Sequence, residues 1–341
     1  MTGPGYDGHT FWDSEASVLP VLTYTQPQAA ANALRWRHST LDLAKERAAT
    51  LGLRGAAFPW RTIRGQECSG YWPAGTAAFH INADIAAAVA RYRSVTGDET
   101  LETEVGLEIL VAGRLEVPLR QPGEPLALLV HAPYFDLYRR QVIKQADLLL
   151  AQYWFEHRFD DQDKARNVDY YERRTVRDSS LSAAIQAVTA AEVGQLELAY
   201  DYTYEAAQID LRDLEHNAED GLHIASLAGV WTALVAGFGG LRDHEGMLSF
   251  APQLPDRITR LSFTVRWRGQ LLGVDIEPDR ATYTLRDGPD GSLAFRHDGR
   301  DVTVTTGTSL TEPIGKRTPM LPRPPQPPGR EPATRANRSH Q

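Results

Sequence analysis

The spacing of the apolar residues changes near Asp243, and this change constrains the fold more than any other feature of the chain. Before it, apolar residues recur every three to four positions and the stretches end at glycines, which predicts helices. After it, Leu261, Phe263 and Val265 alternate with polar residues, which predicts strands of an antiparallel sheet with one wet face. The sequence therefore predicts a helical region followed by a smaller β region.

The predicted helices are joined by short links, as in helical hairpins that pack in layers. They cover 28–51, 81–95, 141–155, 182–193 and 197–209. A further stretch, 221–241, contains no Asp, Glu, Lys or Arg and has about the length of a membrane span. Because it also contains five glycines and His223, we interpret it as a buried core helix.

Composition excludes several classes of protein. The 341 residues suffice for two domains, and 42% hydrophobic with 23% charged residues indicates an ordinary soluble protein. A net charge of −8 argues against a nucleic-acid partner. Cys68 is the single cysteine, so an internal disulfide is excluded. The first residues do not resemble a signal peptide, so we expect a cytoplasmic location and no membrane partner.

The end of the chain differs in composition from the rest. From Pro313 onward it is rich in proline and arginine, which cannot build a hydrophobic core. We therefore expect residues 313–341 to form a disordered tail. The β region would then occupy residues 244–312, and the helical region would occupy residues 1–243.

The sequence contains no Walker loop, no His-Glu-x-x-His motif and no cysteine pair, so we expect no metal and no cofactor. Its polar clusters are of another kind. Trp12 and Asp13 lie in an aromatic and acidic cluster, where a ring can stack on a sugar and a carboxylate can accept hydrogen bonds from hydroxyls. A helix start with Trp12 in the core and Asp13 or Ser14 as the cap is an equally good interpretation.

Lys144 and Gln145 lie within the predicted apolar helix 141–155. Because burying an unpaired charge is costly, these side chains should either pair internally or face a polar cavity. We favour the cavity.

Two clusters of hydroxyl and basic residues precede predicted helices. Ser179 and Ser180 precede helix 182–193, and His223 and Ser226 lie at the start of 221–241. Free N–H groups at helix N-termini bind anions, of which phosphate is the obvious candidate. Ordinary capping by Asp178, Ser179 or Asp220 is the alternative interpretation.

Eight blocks of the sequence, in order, resemble glycoside hydrolase family 65, which includes maltose, trehalose and kojibiose phosphorylases and some hydrolases. The blocks are GHTFWD at 8–13, GAAFPW at 55–60, HINAD at 80–84, KQAD at 144–147, DYYERRT at 169–175, DSSLS at 178–182, DGLHIAS at 220–226 and GFGGLRD at 237–243. The resemblance implies a mainly α fold, an (α/α)6 barrel followed by a small C-terminal antiparallel β-sandwich. It also allows a homodimer.

The resemblance further implies an inverting reaction in which inorganic phosphate attacks the anomeric carbon of a disaccharide and a glutamic acid protonates the leaving oxygen. The products are β-glucose 1-phosphate and a sugar, and phosphate acts as a co-substrate. By the match of motifs, the glucose subsite would contain Trp12, Asp13, Lys144 and Gln145. The phosphate subsite would contain Ser179, Ser180, His223 and Ser226.

The chain departs from the family pattern in three places. The Gly-Pro-Asp-Glu-Tyr-His-like motif of the general acid has no counterpart in 111–143, where Glu116 and Glu124 are the only glutamates and lie near prolines. The catalytic acid is therefore unidentified, and we expect an incomplete barrel with weak or no activity. The large N-terminal β-sandwich of the family also has no counterpart, which predicts an N-terminal truncation. Arg177 stands where the family has a histidine, and its charge could still hold phosphate.

Three functions remain open at this stage. The first is a disaccharide phosphorylase of the family, and the second is a hydrolase, which would need Glu219 or Asp220 to activate water. The third is a sugar-binding remnant or fragment without catalytic activity.

Overall fold

The structure is a computed structural model that describes residues 5–70, 75–76, 78–103, 143–289, 291–327 and 329–332. These residues divide between two compact units. The N-terminal unit is bounded by Thr2–Arg120 and Thr264–Leu272, and the helix–sheet unit by Gln121–Phe263 and Gly273–Gln341.

The N-terminal unit is mostly helical. Its helices are α1 (Leu19–Thr25), α2 (Pro27–Ser39), α3 (Leu41–Thr50) and α4 (Ile81–Thr96), and its strands β1 (Thr10–Phe11) and β2 (Arg61–Thr62) pair antiparallel. The single helix predicted over 28–51 is wrong, because the chain breaks at Thr40. There the Thr40 hydroxyl and N–H both donate to the Arg37 carbonyl, at 2.8 and 3.1 Å, and end α2. The stop predicted for α4 is confirmed, since Gly97 takes a left-handed φ of 73°.

The helix–sheet unit contains five described α-helices. They are α5 (Asp147–Trp154), α6 (Asp161–Glu172), α7 (Ser182–Glu192), α8 (Leu196–Gln208) and α9 (Ile224–Thr232), and a π-helical segment, Ala233–Phe238, continues α9. Helix α5 begins later than the predicted 141–155, because Ile143 pairs in parallel with Thr175 and is extended. Lys144 and Gln145 therefore lie in the loop before α5, rather than in its middle.

Helices α7 and α9 run in the same direction, side by side. A Cβ at Gly229 would lie 2.6 Å from the Ala184 Cβ, and one at Gly237 would lie 3.5 Å from the Val188 Cα. Gly237 follows Gly229 along α9 and its continuation, and Val188 follows Ala184 along α7. The two helices therefore run in the same direction, and their N-termini lie at the same end. Helix α8 returns antiparallel to α7 after Gly194, whose φ is 82°.

Helix α5 shares this direction. At its start, the Ala146 N–H donates to the Ser182 hydroxyl at 3.3 Å. Beyond its end, Glu156 pairs with Arg242, whose guanidinium also lies 3.7 Å from Glu192 at the end of α7. A cation among helix C-termini is favourable, because the helix dipole is negative there. The helix–sheet unit thus holds three parallel helices whose N-termini face one end.

The β region forms two sheets. Its strands are β3 (Ser249–Phe250), β4 (Leu261–Trp267), β5 (Gln270–Glu277), β6 (Arg280–Asp287), β7 (Ser292–His297), β8 (Arg300–Thr305) and β9 (Ser309–Pro313), in the orders β3-β7-β8 and β4-β5-β6-β9. Strands β6 and β9 pair Tyr283 with Leu310, and β7 and β8 pair Phe295 with Val302. Phe250, Tyr283 and Phe295 meet between the sheets, with ring centroids 4.7 to 5.8 Å apart.

The chain after β9 does not leave the helix–sheet unit. The sequence predicts disorder for 313–341. We call the described residues 318–327 and 329–332 the C-terminal segment, and this segment lies along α7 and α8. Gln195 donates to the Leu321 carbonyl at 2.7 Å, and Arg323 pairs with Asp201 at 2.8 Å. Prolines exclude a helix here, but carbonyls and arginines remain available to bind side chains of the hairpin.

Among the described residues, no helix is both long enough and apolar enough to cross a bilayer. The charge-free stretch 221–241 instead contains α9, which buries Ser226, Gly229 and Thr232.

Candidate functional site

Two loops lie together at the N-terminal end of the three parallel helices. The first precedes α5 and the second precedes α7. The Val176 N–H donates to the Ile143 carbonyl at 2.8 Å, and the Asp178 N–H donates to the Lys144 carbonyl at 3.1 Å. This parallel pairing fixes both loops at one end of the helix bundle.

Side chains of the two loops form one hydrogen-bonded chain. The Ser179 hydroxyl donates to Gln145 Oε1 at 2.6 Å, and Gln145 Nε2 donates to Asp147 Oδ1 at 2.6 Å. The sequence predicts that Gln145 binds the sugar and that Ser179 binds phosphate, and the structure brings these two residues into contact. Lys144 and Ser180 lie beside them in sequence and are half-buried.

The N-termini of α7 and α9 lie behind these loops, and neither is capped by the side chain of its N-cap residue. Within the described residues, the N-cap residues Leu181 of α7 and His223 of α9 make no side-chain capping hydrogen bond. The Leu181 N–H lies 3.4 Å from the Ser179 hydroxyl, a long contact. Of the three residues expected as caps, Ser179 accepts this backbone N–H, whereas Asp178 and Asp220 make no capping hydrogen bond among the described residues.

His223 is held by a carboxylate that the sequence did not single out. Asp210 Oδ1 lies 2.5 Å from His223 Nδ1, and Asp210 Oδ2 accepts the His223 N–H at 2.9 Å. This double contact fixes the ring and leaves Nε2 on its far side. Asp210 lies in the turn after α8 and belongs to no local motif, so only the tertiary structure reveals it. Ser226 is fully buried, and its hydroxyl lies 3.4 Å from the Ala206 carbonyl.

Arg177 is paired with residues of α8. Its side chain is fully buried, with Nε 3.2 Å from Glu205 Oε1 and Nη1 3.2 Å from the Tyr202 hydroxyl. The charge that could have held phosphate is therefore paired inside the hairpin. Beside it, burial raises the pKa of Glu172 to about 7, although the Arg177 charge lowers it.

A different arginine reaches this loop. The Arg330 guanidinium lies 2.7 Å from Asp178 Oδ1, immediately before Ser179. About 150 residues separate the two partners, so no sequence spacing could have indicated the pair.

The other predicted sugar-binding residues lie in the N-terminal unit. Trp12 is 6% exposed and meets the edge of His80, with ring centroids 4.6 Å apart. Asp13 precedes the π-helical turn Ser14–Val18 and makes no side-chain capping bond to it. His80 in turn contacts Asp84 at 2.7 Å.

Two predictions from the sequence concern the catalytic acid and a bound metal ion. Glu116 and Glu124, the only glutamates of 111–143, lie outside the described residues. Within the described stretches of the chain, no group of three His, Cys, Asp or Glu side chains could hold a metal ion.

The described residues thus form a mainly helical protein with a C-terminal β region of two sheets. The chain belongs to glycosyl hydrolase family 65. The model of the family's central catalytic domain matches residues 1–115 and 118–232, and that of its C-terminal domain matches 241–304. The family predicted from the eight sequence blocks is thereby confirmed.

Several curated relatives support this membership. An uncharacterized glycosyl hydrolase of Mycobacterium tuberculosis is 51% identical over 432 positions, covering 98% of this chain and 55% of the relative. The α,α-trehalose phosphorylase of Thermoanaerobacter brockii is 32% identical over 397 positions, covering 84% of this chain and 51% of the relative. The chain thus spans about half the length of the curated relatives it matches.

A solved structure confirms the fold. A protein named "Putative kojibiose phosphorylase from human microbiome" matches with a TM-score of 0.82 at 22% identity, covering 91% of this chain and 57% of that one. The fold predicted from the sequence, a partial (α/α)6 barrel with a C-terminal β-sandwich, is confirmed by this match.

The alignments also contain residues that this chain lacks. The match to the mycobacterial relative extends over 432 positions, whereas the chain has 341 residues. The match to the catalytic-domain model is interrupted between 115 and 118, within the stretch where the general-acid motif is missing from the sequence.

Proposed function

We propose that the chain binds phosphate and a glucoside in the manner of a family 65 disaccharide phosphorylase. The observation that carries this proposal is that the N-termini of α7 and α9, neither capped by the side chain of its N-cap residue, lie at one end of the helix–sheet unit. Backbone N–H groups and the positive end of the helix dipole stabilise an anion there. The trehalose phosphorylase named above, to which the chain is 32% identical, supports phosphate as the anion.

The residues assigned to each ligand follow the sequence prediction. The proposed phosphate ligands are Ser179, Ser180, His223 and Ser226, and the proposed glucose ligands are Trp12, Asp13, Lys144 and Gln145. The contact between Ser179 and Gln145 supports this division, because attacking phosphate must lie beside the anomeric carbon of the glucose. Ser226 would need to release the Ala206 carbonyl to bind phosphate directly.

In the proposed reaction, a phosphate oxygen forms a bond to the anomeric carbon and the glycosidic bond breaks. The leaving oxygen takes a proton from a glutamic acid, and β-glucose 1-phosphate is released. That glutamic acid is not identified in this sequence. Since general acid catalysis contributes about 10² to 10⁴ in rate, we propose that the chain binds its ligands and turns over slowly.

A hydrolase of the same family would need a carboxylate base to activate water. The sequence offered Glu219 and Asp220, which lie in the short helical turn Ala218–Asp220, with Glu219 exposed. Phosphate dependence of any turnover separates the two reactions, because hydrolysis proceeds without phosphate.

Isothermal titration calorimetry of the full chain with inorganic phosphate tests the proposal. We expect saturable binding that Ser180→Ala weakens about tenfold, the effect of one hydrogen bond to a charged group. Ser292→Ala, on an exposed strand position of β7, is the matched control and should bind like the wild type. Absence of phosphate binding by the wild type, or equal binding by the Ser180 variant, would contradict the assignment.

A further inference from the structure

The C-terminal segment follows the α7–α8 hairpin from one end to the other. It begins at the end away from the candidate site, where a Cβ at Gly194 would lie 3.2 Å from the Pro319 nitrogen. Gln195 then donates to the Leu321 carbonyl at 2.7 Å. Gly194 and Gln195 connect the C-terminus of α7 to the start of α8, so the segment enters at the opposite end from the N-termini of α7 and α9.

Side chains bind the middle of the segment to the hairpin. Arg323 pairs with Asp201 of α8 at 2.8 Å, and Gln326 Nε2 lies 3.4 Å from Glu172 Oε1. Asp201 is 7% exposed and Glu172 is 1% exposed, so both contacts are made to buried carboxylates. Each contact lies further toward the N-terminal end of α7.

The segment ends at the loop of the candidate site. Arg330 makes two contacts there, because its carbonyl accepts a hydrogen bond from the Arg177 guanidinium and its own guanidinium binds Asp178 at 2.7 Å. Ser179 and Ser180 follow these two residues directly. A single residue of the segment therefore holds both residues that precede the proposed phosphate ligands.

The backbone of this loop needs such support. Arg177 has a φ of 57°, in the left-handed region that is unfavourable for a residue with a Cβ. A conformation of that kind persists where the surrounding structure holds it. The Arg177 side chain is held by Glu205 and Tyr202 within the hairpin and by the Arg330 carbonyl from outside it.

We propose that the C-terminal segment is a strap that positions the 177–180 loop for phosphate, with Arg330 as the positioning residue. It acts through Asp178 and Arg177 and does not itself need to touch phosphate. The binding component of this inference rests on the proposed function, whereas the ordering of the loop does not.

Two arginines of the strap allow a test variant and a matched control. Arg330→Ala removes the ion pair at the loop, and Arg323→Ala removes an ion pair of similar length at the middle of the strap. Hydrogen exchange of the full chain should show amides 178–182 exchanging about tenfold faster in the first variant and at the wild-type rate in the second. Arg330→Lys keeps the charge and should restore most of the protection.

Calorimetry with inorganic phosphate provides the second measurement. We expect Arg330→Ala to weaken phosphate binding about tenfold while Arg323→Ala and the wild type bind alike. Unchanged exchange at 178–182 in Arg330→Ala overturns the proposal, as does tighter phosphate binding, which would make the strap a plug. If the wild type binds no phosphate, the proposed function fails and the exchange rates alone decide whether the strap orders the loop.

Discussion

At the scale of single residues, the hairpin beneath the candidate site contains an unusual buried group. Glu172 accepts hydrogen bonds from Tyr202, from Gln186 at 3.1 Å and from Gln326 at 3.4 Å. Burial nonetheless dominates and raises the pKa of Glu172 from 4.5 to about 7, because the charged carboxylate loses its water. Hydrogen bonds and the nearby Arg177 offset only some of that loss.

This shift predicts how stability depends on pH. The folded chain holds the Glu172 proton between pH 4.5 and about 7, where the unfolded chain has released it. The protonated Glu172 therefore stabilises the folded chain fully below pH 4.5, and this contribution is lost as pH rises through about 7. The free energy of unfolding should fall by about 3 kcal/mol in total over this range. Glu172→Gln should remove this dependence, as measured by urea unfolding across that range.

The exposed Glu197 provides the control for this experiment. Glu197→Gln should follow the pH dependence of the wild type. If Glu172→Gln and the wild type lose stability in parallel between pH 4.5 and about 7, the assignment of the buried proton to Glu172 is wrong.

At the scale of elements, the close packing of α7 against α9 fixes the shared end of their N-termini. Gly229 and Gly237 lie on the same helical run but differ in the space around them. Gly229→Ala would place its Cβ 2.6 Å from the Ala184 Cβ, so the helices must separate. We expect a loss of about 1–3 kcal/mol in the free energy of unfolding, measured with urea.

Gly237→Ala is the matched variant, because its Cβ would meet its neighbours at ordinary distances of 3.5 to 3.8 Å. It should be neutral or stabilise the chain by up to about 1 kcal/mol, since alanine favours a helix. Equal effects of the two substitutions would show that close packing does not fix the spacing of α7 and α9.

The elements also show what the sequence could and could not predict. The ends of α4 and α7 were predictable because Gly97 and Gly194 adopt left-handed backbone that glycine accepts readily. The break at Thr40 was not, since neither glycine nor proline marks it and the competing hydrogen bonds are local to the folded turn. The Asp210–His223 contact and the strap depend on tertiary packing, which no local pattern encodes.

At the scale of the whole molecule, the chain matches the family over most of its length, but the aligned relatives contain residues that this chain lacks. Both halves of the catalytic-domain match are present, and they meet near 116. The proposed phosphate ligands lie in the second half, in the helix–sheet unit. The proposed phosphate binding therefore depends on other residues than proton donation, for which no residue is identified.

The most direct test of this separation is an assay of glucose 1-phosphate released by the full chain from trehalose, maltose, kojibiose or nigerose in the presence of phosphate. We expect release slower than about 10⁻² s⁻¹, at least about 100-fold below the lower end of ordinary turnover numbers. Phosphate-dependent release at about 1 s⁻¹ or faster would contradict this expectation and would show that another group of the chain donates the proton.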